Sequence, residues 1–258
     1  MEEDFFLLTL PNFIPFYDKD TCYGYSKYRD NLLCLLMNTS KEYCMYCYNR
    51  IWINGESHGQ IEHGIEKSNS ERLIDCVPNL GIACSKCNQS YKKKGESKRK
   101  IDTEISSLYE EGDCLSFNCK GQCDKYKILR NTYIEKANII LQPFGVANDR
   151  TGNEYRIQYD LLTGKYMPSK EHGKYTSAEI TFINKHIQQF GLNSPERKNF
   201  EIGKYCKNVI AQHSILKGFD YNNLLVDLFR DKLSKLELEE AIHICKFVYE
   251  NNLIHLQT

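Results

Sequence analysis

The chain has 258 residues, in which 34 Lys and Arg balance 34 Asp and Glu and 41% are hydrophobic. This is the composition of an ordinary globular chain, with one core or one core plus a small lobe. Zero net charge announces no nucleic-acid partner, and no apolar run reaches the roughly 18 residues of a membrane span. Twelve cysteines are many for this length, and a secreted disulfide scaffold would need an export signal. Met1-Glu2-Glu3-Asp4 is acidic and has no basic leader, so a cytoplasmic protein with thiols reduced or on metal is expected.

In chain order, residues 1–24 hold Phe5, Phe6, Leu7 and Leu8 with Pro11 and Pro15, an apolar arm or short strand. The recurrence of Tyr28, Leu32, Leu35 and Leu36 predicts a helix over 25–38. Cys44-Met45-Tyr46-Cys47 follows, then a possible strand at Arg50–Ile53. Gln60–Ile65 reads as a strand carrying Glu62 and His63. Asp75–Cys84 reads as a turn, interrupted by Pro78, and a second strand. Lys86–Lys94 reads as a short helix that starts on Cys84-Ser85-Lys86-Cys87. Beyond it, Tyr155–Asp160 alternates like a strand and turns at Thr163-Gly164 into a partner. Thr176-Ser177-Ala178-Glu179 and Ser234-Lys235-Leu236-Glu237 read as capping boxes. The first predicts a helix burying Ile180, Ile183, Ile187 and Phe190, the second a helix burying Leu238, Ala241, Ile242, Cys245 and Val248.

Two Cys-x-x-Cys pairs supply four soft ligands, the set a tetrahedral structural zinc takes: Cys44, Cys47, Cys84 and Cys87. Thirty-six residues separate Cys47 from Cys84, room for an inserted hairpin, and Glu62, His63 and Asn79 lie within it. A neutral histidine can take a proton near neutral pH, and a carboxylate with a second oxygen donor can hold a hard divalent ion. Consecutive residues on a flat strand point apart, so Glu62 and His63 can share one substrate only where the strand twists or ends. Asn88 can offer an amide oxygen beside Glu62, and Asn79 can fix the tautomer of His63. Lys92, Lys93, Lys94, Lys98, Arg99 and Lys100 stand against Glu96 alone in one stretch, a candidate phosphate-contacting face together with Lys67 and Arg72. Cys114, Cys119 and Cys123 suggest a second metal site, with Cys22, Cys76 or His58 as a fourth ligand; the alternative is buried or loop thiols.

Glu62-His63, Asn79-Leu80 and Cys84-x-x-Cys87-Asn88 followed by Lys92 and Lys93 resemble the HNH endonuclease motif of the ββα-metal nucleases, in the version ending on Asn. That resemblance implies His63 as general base, Asn79 orienting it, Glu62 and Asn88 on Mg²⁺ or Mn²⁺, and structural zinc on the four cysteines. A narrower resemblance adds Tyr43–Cys47, Ile61–His63 with Lys67-Ser68, Leu141-Gln142-Pro143-Phe144, Tyr159-Asp160 with Thr163-Gly164, and Gly191-Leu192-Asn193 with Arg197. It is to the HNH subunit of Septu and retron-associated bacterial anti-phage defence systems, which works beside a P-loop ATPase.

The expected fold is α+β: a zinc-stabilised ββα-metal core with a small β segment and a helical C-terminal lobe. The expected parts are an arm and helix (1–38), the nuclease core (39–100), a cysteine-containing connector (101–125), a β-rich segment (126–175) and the helical lobe (176–258). The expected function is metal-dependent hydrolysis of DNA phosphodiester bonds. A zinc-stabilised adaptor that binds nucleic acid or an ATPase without cutting, and an RNase on the same scaffold, are the alternatives.

Overall fold

A computed structural model of the protein describes residues 3–110, 116–119, 121, 123–170, 174–197, 200–215 and 221–256. The architecture is α+β, with seven strands in three small antiparallel sheets and seven α-helices among the described residues. Among these, no helix is long and apolar enough to cross a membrane.

The arm does form a strand, β1 (Leu7–Thr9), but its partner is distant: Leu8 lies opposite Tyr159 on β6 (Ile157–Asp160). With β7 (Lys165–Pro168) these make one sheet, so the arm and the β-rich segment are a single layer. Helix α1 runs Arg29–Ser40 and buries Leu32, Leu36 and Met37. It starts four residues later than periodicity predicts. The Asp75 carboxylate accepts from the backbone N–H groups of Tyr25 (2.7 Å) and Ser26 (2.8 Å), and Tyr28 is left-handed at φ 61°. Those residues are held outside any helix by a side chain fifty positions away.

A short β2–β3 hairpin (Trp52–Ile53, Glu56–Ser57) leads to β4 (Gly59–His63), which pairs with β5 (Leu80–Cys84). Glu62 faces Gly81 across the ladder and His63 faces Leu80. A seven-residue π-helical turn, Lys86–Lys92, then leaves the second cysteine pair. Helices α2 (Thr103–Glu110) and α3 (Asp124–Ala137) pack beside this unit, and α3 buries Tyr126 and Tyr133 against it.

The C-terminal lobe is α4 (Ser177–Gln189), α5 (Phe200–Gln212), α6 (Leu224–Leu233) and α7 (Leu238–Leu256). The capping box at Thr176 and Glu179 forms as predicted. Ile183, Ile187 and Phe190 are buried as the stripe predicts, with Phe182 and His186 beside them, while Ile180 is 40% exposed. The second predicted capping box does not form. Ser234 instead ends α6, donating to the Asp231 carbonyl, and Leu238 is exposed at the start of α7. Cys206 on α5 and Cys245 on α7 are buried core thiols, but Cys34 is exposed on α1.

Candidate active site

The four cysteines converge. The turn after Cys44 is closed by Cys44 N–H donating to Asn49 O (2.8 Å) and Tyr48 N–H donating to Cys44 O (2.9 Å), with Tyr48 left-handed at φ 62°. Met45 N–H donates to Ile82 O (3.1 Å), which sets this turn against β5 and so against Cys84 and Cys87. All four Sγ atoms lie within 4.8 Å of one another. Cys47 Sγ and Cys84 Sγ are 3.7 Å apart, far beyond a disulfide. A tetrahedron with metal–sulfur bonds of about 2.3 Å has edges of about 3.8 Å, so the sulfurs already outline the sphere of a zinc ion. Donation from the other three thiols pulls Cys84 far below the ordinary thiol range, while burial pushes Cys44 up. Four thiolates at this spacing repel one another unless a cation lies among them. Donor type, number and spacing all fit zinc.

No second group of three or more His, Cys, Asp or Glu side chains among the described residues is placed to hold a metal. Cys114 lies outside the described residues. Cys119 donates to the Gly121 carbonyl (3.1 Å), Cys22 to Asn118 Oδ1 (3.0 Å), and Cys123 caps α3 by accepting from Tyr126 N–H (3.4 Å). His58 is exposed.

His63 is the last residue of β4, and the strand's ending resolves the divergence of neighbouring side chains: Glu62 and His63 line the same cleft, about 480 Å³, with Asn88, Lys67 and Lys93. His63 Nε2 is 3.2 Å from the Ile74 carbonyl, which can only accept. Nε2 therefore carries the proton and Nδ1 keeps its lone pair. The ring meets Tyr25 edge-on at 5.1 Å. Burial lowers the His63 pKa below its ordinary value against the opposing pull of Glu62, and Lys67 and Lys92 add to the lowering. The imidazole is thus a neutral base with a defined tautomer at pH 7.

Asn79 ends the short turn just before β5 and is fully buried, and its side chain hydrogen-bonds elsewhere than the His63 ring. Its side chain brackets Ile65, accepting from Ile65 N–H (2.7 Å) and donating to Ile65 O (2.9 Å), and Tyr126 OH donates to the same Oδ1 (3.1 Å). Its carbonyl accepts from Gly64 N–H (2.7 Å). The direct His63 contact expected of it is corrected to an indirect one: Asn79 fixes the backbone corner on which His63 ends. Gly64 packs tightly here: a Cβ would lie 3.2 Å from both Asn79 Oδ1 and the Gln142 carbonyl, so any side chain would need those neighbours to shift by a few tenths of an ångström. Asn79→Ala leaves the Ile65 amide and carbonyl unpaired and leaves the Tyr126 hydroxyl only its longer bond to the Pro78 carbonyl (3.5 Å). We expect urea unfolding to show a loss of roughly 3 kcal/mol, at 1–3 kcal/mol per orphaned buried group; a loss under about 1 kcal/mol would contradict this account of the corner.

Two predicted phosphate contacts are corrected. Lys92 is 3% exposed, and its ammonium donates to Glu62 Oε1, His63 O (2.8 Å) and Gly64 O (2.8 Å), which uses all three N–H bonds. Arg99 is 4% exposed and pairs with Glu66 (2.7 Å), whose Oε1 also accepts from Tyr133 OH (2.8 Å). Both cations are internal struts. Of the remaining lysines, Lys67 and Lys93 are exposed and line the cleft. Lys94 borders a separate depression with Lys185 and Gln188, and Lys98 is exposed outside the cleft. Arg72 donates to the Tyr109 carbonyl (3.2 Å).

Glu62 is 2% exposed and holds Tyr46 OH at 2.7 Å as well as Lys92. Asn88 Nδ2 donates to Gln60 Oε1 (3.1 Å), and its Oδ1 has no hydrogen bond among the described residues. One carboxylate and one open amide oxygen on a cleft wall suit a hard ion that keeps several waters. Lys92 shares that carboxylate, so a divalent ion would bind weakly. Lys92→Gln removes the competing charge and leaves Glu62 buried without a cation. The expected result is a lower Tm that Mn²⁺ raises by several degrees more than in the parent, since like charges about 4 Å apart repel by about 4 kcal/mol at an effective dielectric of 20. Equal Mn²⁺ shifts in both proteins would rule out the competition.

Sequence reasoning missed Tyr46, Tyr25 and Arg29. Tyr46 occupies a spacer position between two cysteines, where no pattern marks it. The Arg29 guanidinium lies 4.6 Å over the Tyr25 ring, and Lys67 Nζ lies 5.9 Å over it, so two exposed cations gather beside His63. No protein-family model matches the chain, and no curated protein or solved structure matches it.

Proposed function

We propose that the protein is a metal-dependent endonuclease of the HNH, ββα-metal kind that hydrolyses DNA phosphodiester bonds. The supporting observation is convergence: a neutral imidazole, its Nδ1 lone pair unengaged among the described residues, shares one cleft with the Glu62 carboxylate and the Asn88 amide oxygen. Those groups stand on two antiparallel strands and a helical turn that meet at four clustered sulfurs. His63 Nδ1 takes the proton of the attacking water. The chain holds that ring by the Ile74 carbonyl and Tyr25, and holds the corner beneath it by Asn79 and Lys92. Mg²⁺ or Mn²⁺ on Glu62 and Asn88 would supply positive charge for the phosphoryl and leaving oxygens. In-line attack would leave 5′-phosphate and 3′-hydroxyl ends.

Lys67, Lys93 and Arg29 are the cations placed to meet phosphates flanking the cut. In a His63→Ala background, Arg29→Gln and Lys67→Gln are each expected to reduce the salt slope of duplex binding by about 0.9. Lys98→Gln should leave it unchanged, and a slope unaltered by both Arg29→Gln and Lys67→Gln would remove the assignment.

The biological setting we propose is bacterial anti-phage defence, with a P-loop ATPase partner. One observation favours the second reading, a non-cutting adaptor: Lys92 already neutralises Glu62 inside the cleft. The deciding experiment is nicking of supercoiled plasmid, with RNA alongside, across a divalent-ion panel, with and without the ATPase and ATP. Divalent-dependent nicking supports the nuclease. Tight binding without cleavage under every condition supports the adaptor, and cleavage of RNA alone supports an RNase.

A further inference from the structure

Three of the four sulfurs are sealed. Cys44 and Cys87 are 0% exposed and Cys47 is 2% exposed, whereas Cys84 is half-buried and borders a groove of about 490 Å³. The far wall of that groove comes from the C-terminal lobe, through Glu196, Arg197 and Phe200. Arg197, in the turn Pro195–Arg197, reaches across it, and its Nη2 donates to Cys87 Sγ at 3.3 Å. Its guanidinium also lies 4.6 Å over the Tyr91 ring, on the helical turn that begins at the second cysteine pair. Among the described residues its buried Nε has no hydrogen-bond partner, and the contacts it makes are to the sulfur and the ring.

The neighbouring residues grip the same turn. Gln189 Nε2 donates to the Tyr91 carbonyl (2.5 Å) and the Lys94 carbonyl (3.0 Å). Gly191 lies so close to Tyr91 that a Cβ would come within 2.8 Å of its ring, and Glu196 pairs with Lys86 at 3.1 Å. Residues 189–197 therefore clamp the turn that carries Cys87, and Arg197 carries the one formal charge of the clamp that is aimed at sulfur. A divalent ion on four thiolates leaves a net charge of about −2, which a guanidinium can offset without becoming a ligand.

We propose that Arg197 is a positioning residue of the four-sulfur centre, neutralising it from outside the ligand set while lining the groove by which Cys84 meets solvent. The C-terminal lobe thereby governs how firmly the centre holds zinc, whether or not His63 cuts DNA.

The test uses the full-length zinc-loaded protein and a colorimetric zinc chelator. Arg197→Ala is expected to release zinc about 10- to 100-fold faster than the parent, Arg197→Lys to fall between, and Glu196→Gln to match the parent. A second readout separates this from loose packing. In cobalt-substituted protein a hydrogen bond lowers the sulfur lone-pair energy, so its loss in Arg197→Ala or Arg197→Gln should move the thiolate-to-cobalt charge-transfer band to longer wavelength. Parent-like release with an unmoved band would overturn the proposal, as would a parent protein that takes up no zinc. If Arg197→Ala does not fold, the band of Arg197→Gln, which lacks the positive charge, decides by the same criterion.

Discussion

His63→Ala is expected to slow cleavage by about 10²- to 10⁴-fold, the usual contribution of a positioned general base. The ring's contacts are few: a hydrogen bond to Ile74 O and an edge contact with Tyr25, at the half-buried end of a strand. Removing it costs stability of only about 1 kcal/mol, the net worth of one hydrogen bond, so lost cleavage would report chemistry rather than unfolding. His63→Gln should be as slow, because an amide cannot take the water's proton. The pH profile carries a sign of its own. Burial holds the His63 pKa below its ordinary value, so the base is neutral at pH 7, and rate falls only as pH drops through that lowered value. Lys67 contributes to the lowering, so Lys67→Gln should move the acid limb to higher pH. A His63→Ala protein that cuts within tenfold of the parent would remove this residue from the mechanism.

Cys87→Ser should abolish the fold of residues 44–92 rather than weaken it. The unit has two five-residue strands and a single helical turn, and Glu62, Lys92, Glu66 and Arg99 occupy part of its interior. Apparent zinc-binding free energies in small four-ligand sites are about 10–16 kcal/mol, comparable with the whole stability of a domain. Serine is a poor ligand for zinc. The expected outcome is loss of stoichiometric zinc, exchange of the β4–β5 amide protons and loss of the cooperative melt. Strong chelation of the parent should give the same result. Cys245→Ser removes an equally buried thiol that is remote from the four sulfurs, and should keep both zinc and the melt. A zinc-free Cys87→Ser protein melting within a few degrees of the parent would refute the structural role of the metal.

What could be read in the sequence was whatever depends on near neighbours. The two cysteine pairs, the strand carrying Glu62 and His63, the strand after Pro78 and the Thr176–Glu179 cap are short-range patterns, and all are present. The misreadings have long-range causes. Lys92 looks like one of a run of solvated lysines. In the π-helical turn, however, Lys92 and Cys87 share the buried face at a spacing of five, where an α-helix would place them about 140° apart. Arg99 lies in the same basic run, but Glu66 and Tyr133 draw it inward. The Ser234 signature has the residues of a cap, yet the chain uses Ser234 to finish the preceding helix. The spacing puts Asn79 at the right corner, but its side chain pairs with backbone rather than with the imidazole.

The most direct test of the account is the position of a divalent ion relative to one ring. The zinc-loaded full chain, with histidines carrying ¹³C at Cε1, would be titrated with Mn²⁺, whose unpaired electrons broaden nearby nuclei. The prediction is that the His63 signal disappears first, that buried His186 stays sharp, and that Asn88→Ala or excess Mg²⁺ restores the His63 signal. A His63 signal that remains sharp at saturating Mn²⁺ would contradict the claim that imidazole and oxygen donors face one site.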